Sequence, residues 1–263
     1  MGEPFELLKE YVCSVGSSWP HNKAVQLAFG PKSVVYLGHE ISAEGVAVGE
    51  DRIKSIQELP TPTCIKDLRS VLGVMNFVRR FVPNYAEITA PLVDLTRKDF
   101  ATRPRFKKAW GSAQNTAFAH IKRSLVSAPV LNFPDYEREF IVHVDASELG
   151  VGAFLAQPSK NDESKSDLDI IAYFCQRFKH GQRHYSASMK ECCGVVLALA
   201  HWRPYLFGKH STVITHHQAL THLYYMQDTS NMLTRWAAAL QNFDFTVKHV
   251  TGKLNEVPDA LSR

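Results

Sequence analysis

Three carboxylates and a histidine pair sit where a folded chain could use them. Asp145 closes the apolar run Phe140-Ile141-Val142-His143-Val144, and Glu191 falls early in a helical stretch that starts near Ser186 or Ser188. Asp259 follows Pro258 in the first turn of a closing helix, and His216-His217 comes directly after Val213-Ile214-Thr215. Strand ends and helix starts are rigid, so acids placed there are suited to hold hard cations or to exchange protons. Each also has a plain structural use. Asp145 can bond to the backbone of the turn that follows it. Ser188-Met189-Lys190-Glu191 fits the S-x-x-E capping box, whereas a helix start nearer Ser186 would leave Glu191 facing the sheet. Asp259 can complement the positive end of its own helix. A histidine pair at a strand end is more often a surface feature than a metal ligand. Against these uses, an ionisable group that ends an apolar strand is expensive to bury without a partner.

The elements that must carry these groups follow from the hydrophobic pattern. Residues 140–145 and 150–157 read as strands around a tight turn, and a polar loop over 158–169 leads to a third strand at 170–174. A buried helix is expected over 188–202, a strand at 212–215, a short helix at 219–225, a longer one at 232–242, and a fifth strand at 245–249. Asp259 then begins the last helix. This order predicts an α/β (α+β) fold, a mixed five-stranded sheet with flanking helices. The region before it is different. Two short strands around a turn are expected near residues 34–46, followed by the stiff hinge Leu59-Pro60-Thr61-Pro62-Thr63. Ile65, Leu68, Leu72 and Met75 then recur at helical spacing, and Ala117, Ile121 and Leu125 mark a second amphipathic helix that stops before Pro129. The organisation expected is a first segment at 1–60, a smaller helical domain at 61–134 and the sheet domain at 135–263.

Composition bounds the chemistry. The chain has 263 residues, 45% hydrophobic and 21% charged, with a net charge of +4. That suits a globular protein with substantial cores and excludes a disordered one. Between Lys66 and Trp110 there are ten Lys or Arg against four Asp or Glu, so the rest of the chain is slightly acidic. Such a split fits a polyanion-gripping module beside a metal-dependent one, and equally a solvated helical surface. Five cysteines with no C-x-x-C spacing indicate neither a zinc site nor a disulfide framework, so a reducing, intracellular setting (cytoplasm or nucleus) is expected. No charged-then-apolar leader is recognisable, and the longest apolar run, near 194–200, is too short to cross a bilayer, so no membrane partner is expected.

An ordered set of motifs runs along nearly the whole chain. They are Tyr36-Leu37-Gly38-His39-Glu40-Ile41-Ser42, Leu72-Gly73-Val74-Met75-Asn76-Phe77-Val78-Arg79-Arg80-Phe81, Ala90-Pro91-Leu92, Ala128-Pro129-Val130-Leu131, Val144-Asp145-Ala146-Ser147, the stretch from Tyr185 to Glu191, and Asp259-Ala260-Leu261-Ser262-Arg263. Together they resemble the end of the polymerase palm, the thumb or connection, and the ribonuclease H domain of a reverse transcriptase from an LTR retrotransposon of the Ty3/gypsy type. The resemblance implies a four-carboxylate site for two divalent ions, Mg2+ or Mn2+, of which Asp145, Glu191 and Asp259 occupy three positions. The family's fourth carboxylate stands in a T-D-H pattern, and here Thr215-His216-His217 puts His216 in its place. Replacing a carboxylate by imidazole removes negative charge beside the dications and weakens magnesium binding. A loss of a few kcal/mol of transition-state stabilisation would lower the rate by roughly two to three decades.

Three readings follow from that resemblance. In the first, the chain binds RNA–DNA hybrid or related nucleic acid and hydrolyses the RNA strand weakly or not at all. In the second, it is an active ribonuclease H module of a reverse transcriptase. In the third, it is a domesticated, non-catalytic module that binds a protein partner. Arg79, Arg80, Lys107 and Lys108 in the basic segment are the candidate phosphate contacts. No Y-x-D-D polymerase motif occurs, so no polymerase activity is expected.

Overall fold

In the computed structural model, residues 32–97, 100, 102–159, 167–215 and 231–249 are described; the described residues from Ser33 onward belong to one compact unit. The chain first forms a three-stranded antiparallel sheet from β1 (Ser33–Tyr36), β2 (His39–Ser42) and β3 (Val46–Val48). One strand more than expected is present, because 39–42 and 46–48 pair separately across the 43–45 turn.

Helices follow: α1 (Glu50–Gln57), α2 (Ile65–Phe77), α3 (Tyr85–Ile88), α4 (Ala90–Asp94), α5 (Arg103–Ala109) and α6 (Ser112–Val126). In α2 the buried positions are Leu68, Val71 and Met75, and in α6 they are Ala117, Phe118, Ile121 and Leu125, each a single apolar stripe at helical spacing. These stripes meet Val48, Ile56, Phe81, Leu92 and Leu131 in one core, which therefore runs across position 60. Lys122 reaches from α6 to the carbonyls of Gln57 and Leu59 and closes the end of α1.

The second part is a five-stranded mixed sheet made of β4 (Phe140–Ala146), β5 (Gly150–Pro158), β6 (Leu168–Arg177), β7 (His210–Thr215) and β8 (Asp244–His249). The order is β6-β5-β4-β7-β8, with β4, β5 and β6 antiparallel and β4, β7 and β8 parallel. The helices α7 (Ala187–His201), α8 (Arg203–Leu206) and α9 (Asn231–Leu240) accompany it. Phe140, Val142, Val144, Val195, Ala198, Leu199, Trp202 and Val213 are among the residues of its core. Gly194 is required by the packing, since a Cβ there would stand 2.9 Å from Val151 Cγ2. The expected helix at 219–225 and the final helix at Asp259 lie outside the described residues.

The two parts are joined through main-chain bonds. Val46 and Leu131 exchange both of theirs, N to O at 2.8 and 2.9 Å, while the Asn132 N–H donates to the Ile170 carbonyl at 2.7 Å. Gly45 adopts φ +142°, and a Cβ on it would lie 2.2 Å from the Leu131 carbonyl oxygen. Side chains add to the joint: Arg177 pairs with Asp94 at 3.0 Å, and the Ala86 N–H donates to Cys175 Sγ at 3.0 Å. No helix among the described residues is long and apolar enough to cross a membrane.

Candidate metal site and nucleic-acid contacts

The β-branched run of β4 delivers Asp145 to the penultimate position of that strand, opposite Gly152 of β5, where it is 6% exposed. Glu191 comes from α7. That helix begins at Ala187 with Ser186 as its N-cap, the Ser186 hydroxyl accepting from the Met189 N–H at 3.4 Å. A start at this point releases Glu191 from the capping-box alternative. Its side chain instead turns to the sheet and is 7% exposed. Glu191 Oε1 accepts from the Ala146 N–H at 3.3 Å, and Oε2 accepts from the Thr215 hydroxyl at 3.5 Å. Thr215, fully buried, is the last residue of β7. Three elements thus converge on one carboxylate.

Burial pushes the Glu191 carboxyl up to about 8, and the neighbouring Asp145 carboxylate pushes in the same direction. The Ala146 and Thr215 bonds pull it back only in part. Two buried acids that disfavour each other's charge favour protonation of one or a cation nearby. All their donor atoms are carboxylate oxygens, which suit a hard divalent ion such as Mg2+ or Mn2+. Among the described residues no cluster of three or more His, Cys, Asp or Glu could hold a metal. His216 and Asp259 lie outside the described residues.

The basic candidates sit on the helical part. Arg79 and Arg80 form a short 3-10 turn with the buried Phe81 after α2, and the Arg80 guanidinium lies 5.4 Å from the centre of the Phe81 ring. Arg79 is exposed, yet close enough to β6 and α7 to hold the His201 imidazole below its ordinary value, after burial as the first cause. Lys107 and Lys108 occupy the last turn of α5 and are both exposed. The carboxylate pair and these four cations therefore belong to different parts of one compact unit.

Two features were not anticipated. Thr215 gave only the signal of a hydroxyl at a strand end. The 3-10 turn His180–His184, immediately before α7, carries His180, Arg183 and His184 with Lys179 as its N-cap, and the His180 and His184 rings meet edge to face at 5.2 Å. Its signal was a basic run inside the acidic half.

Residues 135–243 match the family described as the RNase H-like domain found in reverse transcriptase. The chain is 32% identical over 236 residues to the retrovirus-related Pol polyprotein from transposon 412 of Drosophila melanogaster, covering 90% of this chain and 18% of that protein. It is 33% identical over 239 residues to the transposon Tf2-3 polyprotein of Schizosaccharomyces pombe, covering 89% of this chain and 17% of that one. The chain thus spans under a fifth of the length of these curated relatives. Among solved structures, a foamy viral protease-reverse transcriptase in complex with RNA/DNA hybrid superposes with a TM-score of 0.66 at 24% identity, over 86% of this chain and 30% of that one. At that identity the likeness speaks for the fold.

Proposed function

We propose that this chain, whose residues 135–243 are an RNase H-like domain of the reverse-transcriptase type, binds RNA–DNA hybrid or a related nucleic acid inside the cell and hydrolyses the RNA strand weakly or not at all. The observation that carries this reading is the buried pair Asp145 and Glu191, brought together by β4 and α7. The weakening rests on His216 of Thr215-His216-His217, which the resemblance would put in place of a fourth carboxylate.

Asp145, Glu191 and Asp259 would hold the divalent ions. When bound, such ions supply an activated water and charge stabilisation at the phosphate being cut. The chain's own residues do the rest. The Ala146 N–H and the Thr215 hydroxyl orient the two oxygens of Glu191, and the apolar packing around β4 and α7 keeps bulk water from the pair. The side chain of His216 contributes at best a neutral nitrogen donor where a hard anionic oxygen is wanted, and when protonated it opposes cation binding. Arg79, Arg80, Lys107 and Lys108 would neutralise backbone phosphates, a grip without sequence preference and sensitive to salt. Arg183, with Lys179 at the N-cap of the same turn, adds positive charge directly before α7. The hybrid as ligand is supported by the foamy viral complex, whose fold the chain shares. Polymerase chemistry forms no part of this reading.

The test is cleavage of an end-labelled RNA–DNA hybrid with Mg2+ and with Mn2+ in parallel. Little or no cutting with Mg2+, together with a gain on His216→Asp, is the expected outcome. Clear Mg2+-dependent cutting by the unaltered chain, abolished by Asp145→Asn, would establish an active nuclease instead. Absence of hybrid binding at low salt would favour a module that binds protein.

A further inference from the structure

Beside Glu191, on the same turn of α7, lies a lysine that the proposed chemistry does not use. Lys190 is 6% exposed, a rare state for a lysine, and its Nζ lies 2.9 Å from Glu148 Oε2. The two partners are unequal: the Lys190 side chain is 7% exposed and that of Glu148 is 88% exposed. Glu148 belongs to the turn between β4 and β5, three residues after Asp145. That turn is internally stiff. The Ser147 hydroxyl accepts from the N–H groups of Leu149 and Gly150, both at 3.2 Å, and the Ser147 N–H donates to the Gly150 carbonyl at 2.9 Å.

Successive residues on a helix point about 100° apart, so Lys190 and Glu191 reach the hairpin at separate points. Glu191 meets the backbone of Ala146 and Lys190 meets the side chain of Glu148. Two links from neighbouring helical residues therefore span the strand end that carries Asp145. A single link would let the hairpin rock about it; two fix both distance and orientation. A pair exposed at both ends would contribute little; here the lysine side chain is packed against the protein and only the Glu148 end stands in water.

We infer that Lys190 and Glu148 are positioning residues, an ion pair that clamps the β4–β5 turn to α7 and sets the separation of Asp145 and Glu191. This rests on the metal-site reading above for its consequence, though not for its geometry. Groups that orient metal-binding carboxylates from outside typically alter affinity by about tenfold or more when removed.

Two variants of the full chain separate positioning from simple electrostatics. Glu148→Gln removes a negative charge near the site, and Lys190→Met removes a positive one while keeping an unbranched apolar stem in the buried channel. A field effect alone would weaken cation binding in the first and strengthen it in the second. Positioning predicts weakening in both, by about tenfold, when Mn2+ binding is followed by electron paramagnetic resonance. A metal-independent readout accompanies it: exchange of the Ala146 amide hydrogen, whose bond to Glu191 the clamp protects, should speed up by about tenfold in both variants. Faster exchange in variants of a chain that binds no Mn2+ would keep the clamp and remove the metal site. Unchanged Ala146 exchange, or tighter Mn2+ binding by Lys190→Met, would overturn the clamp.

Discussion

The main-chain N–H of Ala146 donates to Glu191 Oε1 at 3.3 Å, so the residue directly after Asp145 is fastened to the carboxylate that Asp145 repels. That arrangement holds two mutually disfavouring acids close through a backbone hydrogen bond. Its energetic consequences can be measured without substrate.

The first concerns pH. The Glu191 carboxyl sits at about 8 in the folded chain, above the ordinary 4.5 of an unfolded glutamate. An acid with a raised folded value binds its proton more tightly when folded. The stability it contributes is fully present below about pH 4.5 and is lost as pH rises toward 8. In metal-free protein the unfolding free energy should fall across that window, with a slope of at most about 1.4 kcal/mol per pH unit from this group. Urea titrations at several pH values, with and without Mn2+, check this; added cation should flatten the slope.

Removing the repulsion should show the same balance from the other side. Asp145→Asn keeps the shape and deletes the charge, so metal-free protein at pH 8 is expected to gain about 1–2 kcal/mol of stability. The same variant should lose the rise in melting temperature that Mn2+ gives the unaltered chain. A destabilised Asn variant would mean that Asp145 is held by favourable bonds stronger than its conflict with Glu191.

Binding of nucleic acid should report the basic turn and α5 separately. Each phosphate contact contributes about 0.9 to the slope of log affinity against log salt. Arg79→Ala/Arg80→Ala and Lys107→Ala/Lys108→Ala should each weaken hybrid binding uniformly across sequences and reduce that slope by about 2. Fluorescence anisotropy over a salt series measures it. A slope unchanged by either double variant would remove those residues from the interface.

The joint between the two parts makes a stability prediction. Gly45→Ala forces a side chain into φ +142° and onto the Leu131 carbonyl, and should cost about 2 kcal/mol or more. Gly73→Ala, on the open face of α2 with nothing within 4 Å of the added carbon, should instead gain about 0.5–1 kcal/mol. Chemical denaturation of the two variants side by side provides the contrast.

Much of the frame was legible beforehand because its signals are local. Alternating and continuous apolar runs marked β4 to β8, helical stripes marked α2 and α6, and α7 read as a buried helix. The short helices α3, α4 and α5 were not, since four to seven residues around Pro91 and Pro104 carry too few turns for a periodicity to register. At the site, the residue types were visible and the choice among their uses was not. Whether Glu191 caps α7 or faces the sheet depends on a helix start that shifts by two residues, and the Ser186 cap decides it. The Lys190–Glu148 pair, 42 residues apart, has no local signature at all.

Leu131 is bonded to the small sheet and Asn132 to the large one, so adjacent peptide units are committed in opposite directions. A connection of that kind has no slack to take up. If the helical part holds a duplex, the number of base steps between the grip and the carboxylate pair is a length written into the fold, and the joint acts as a ruler.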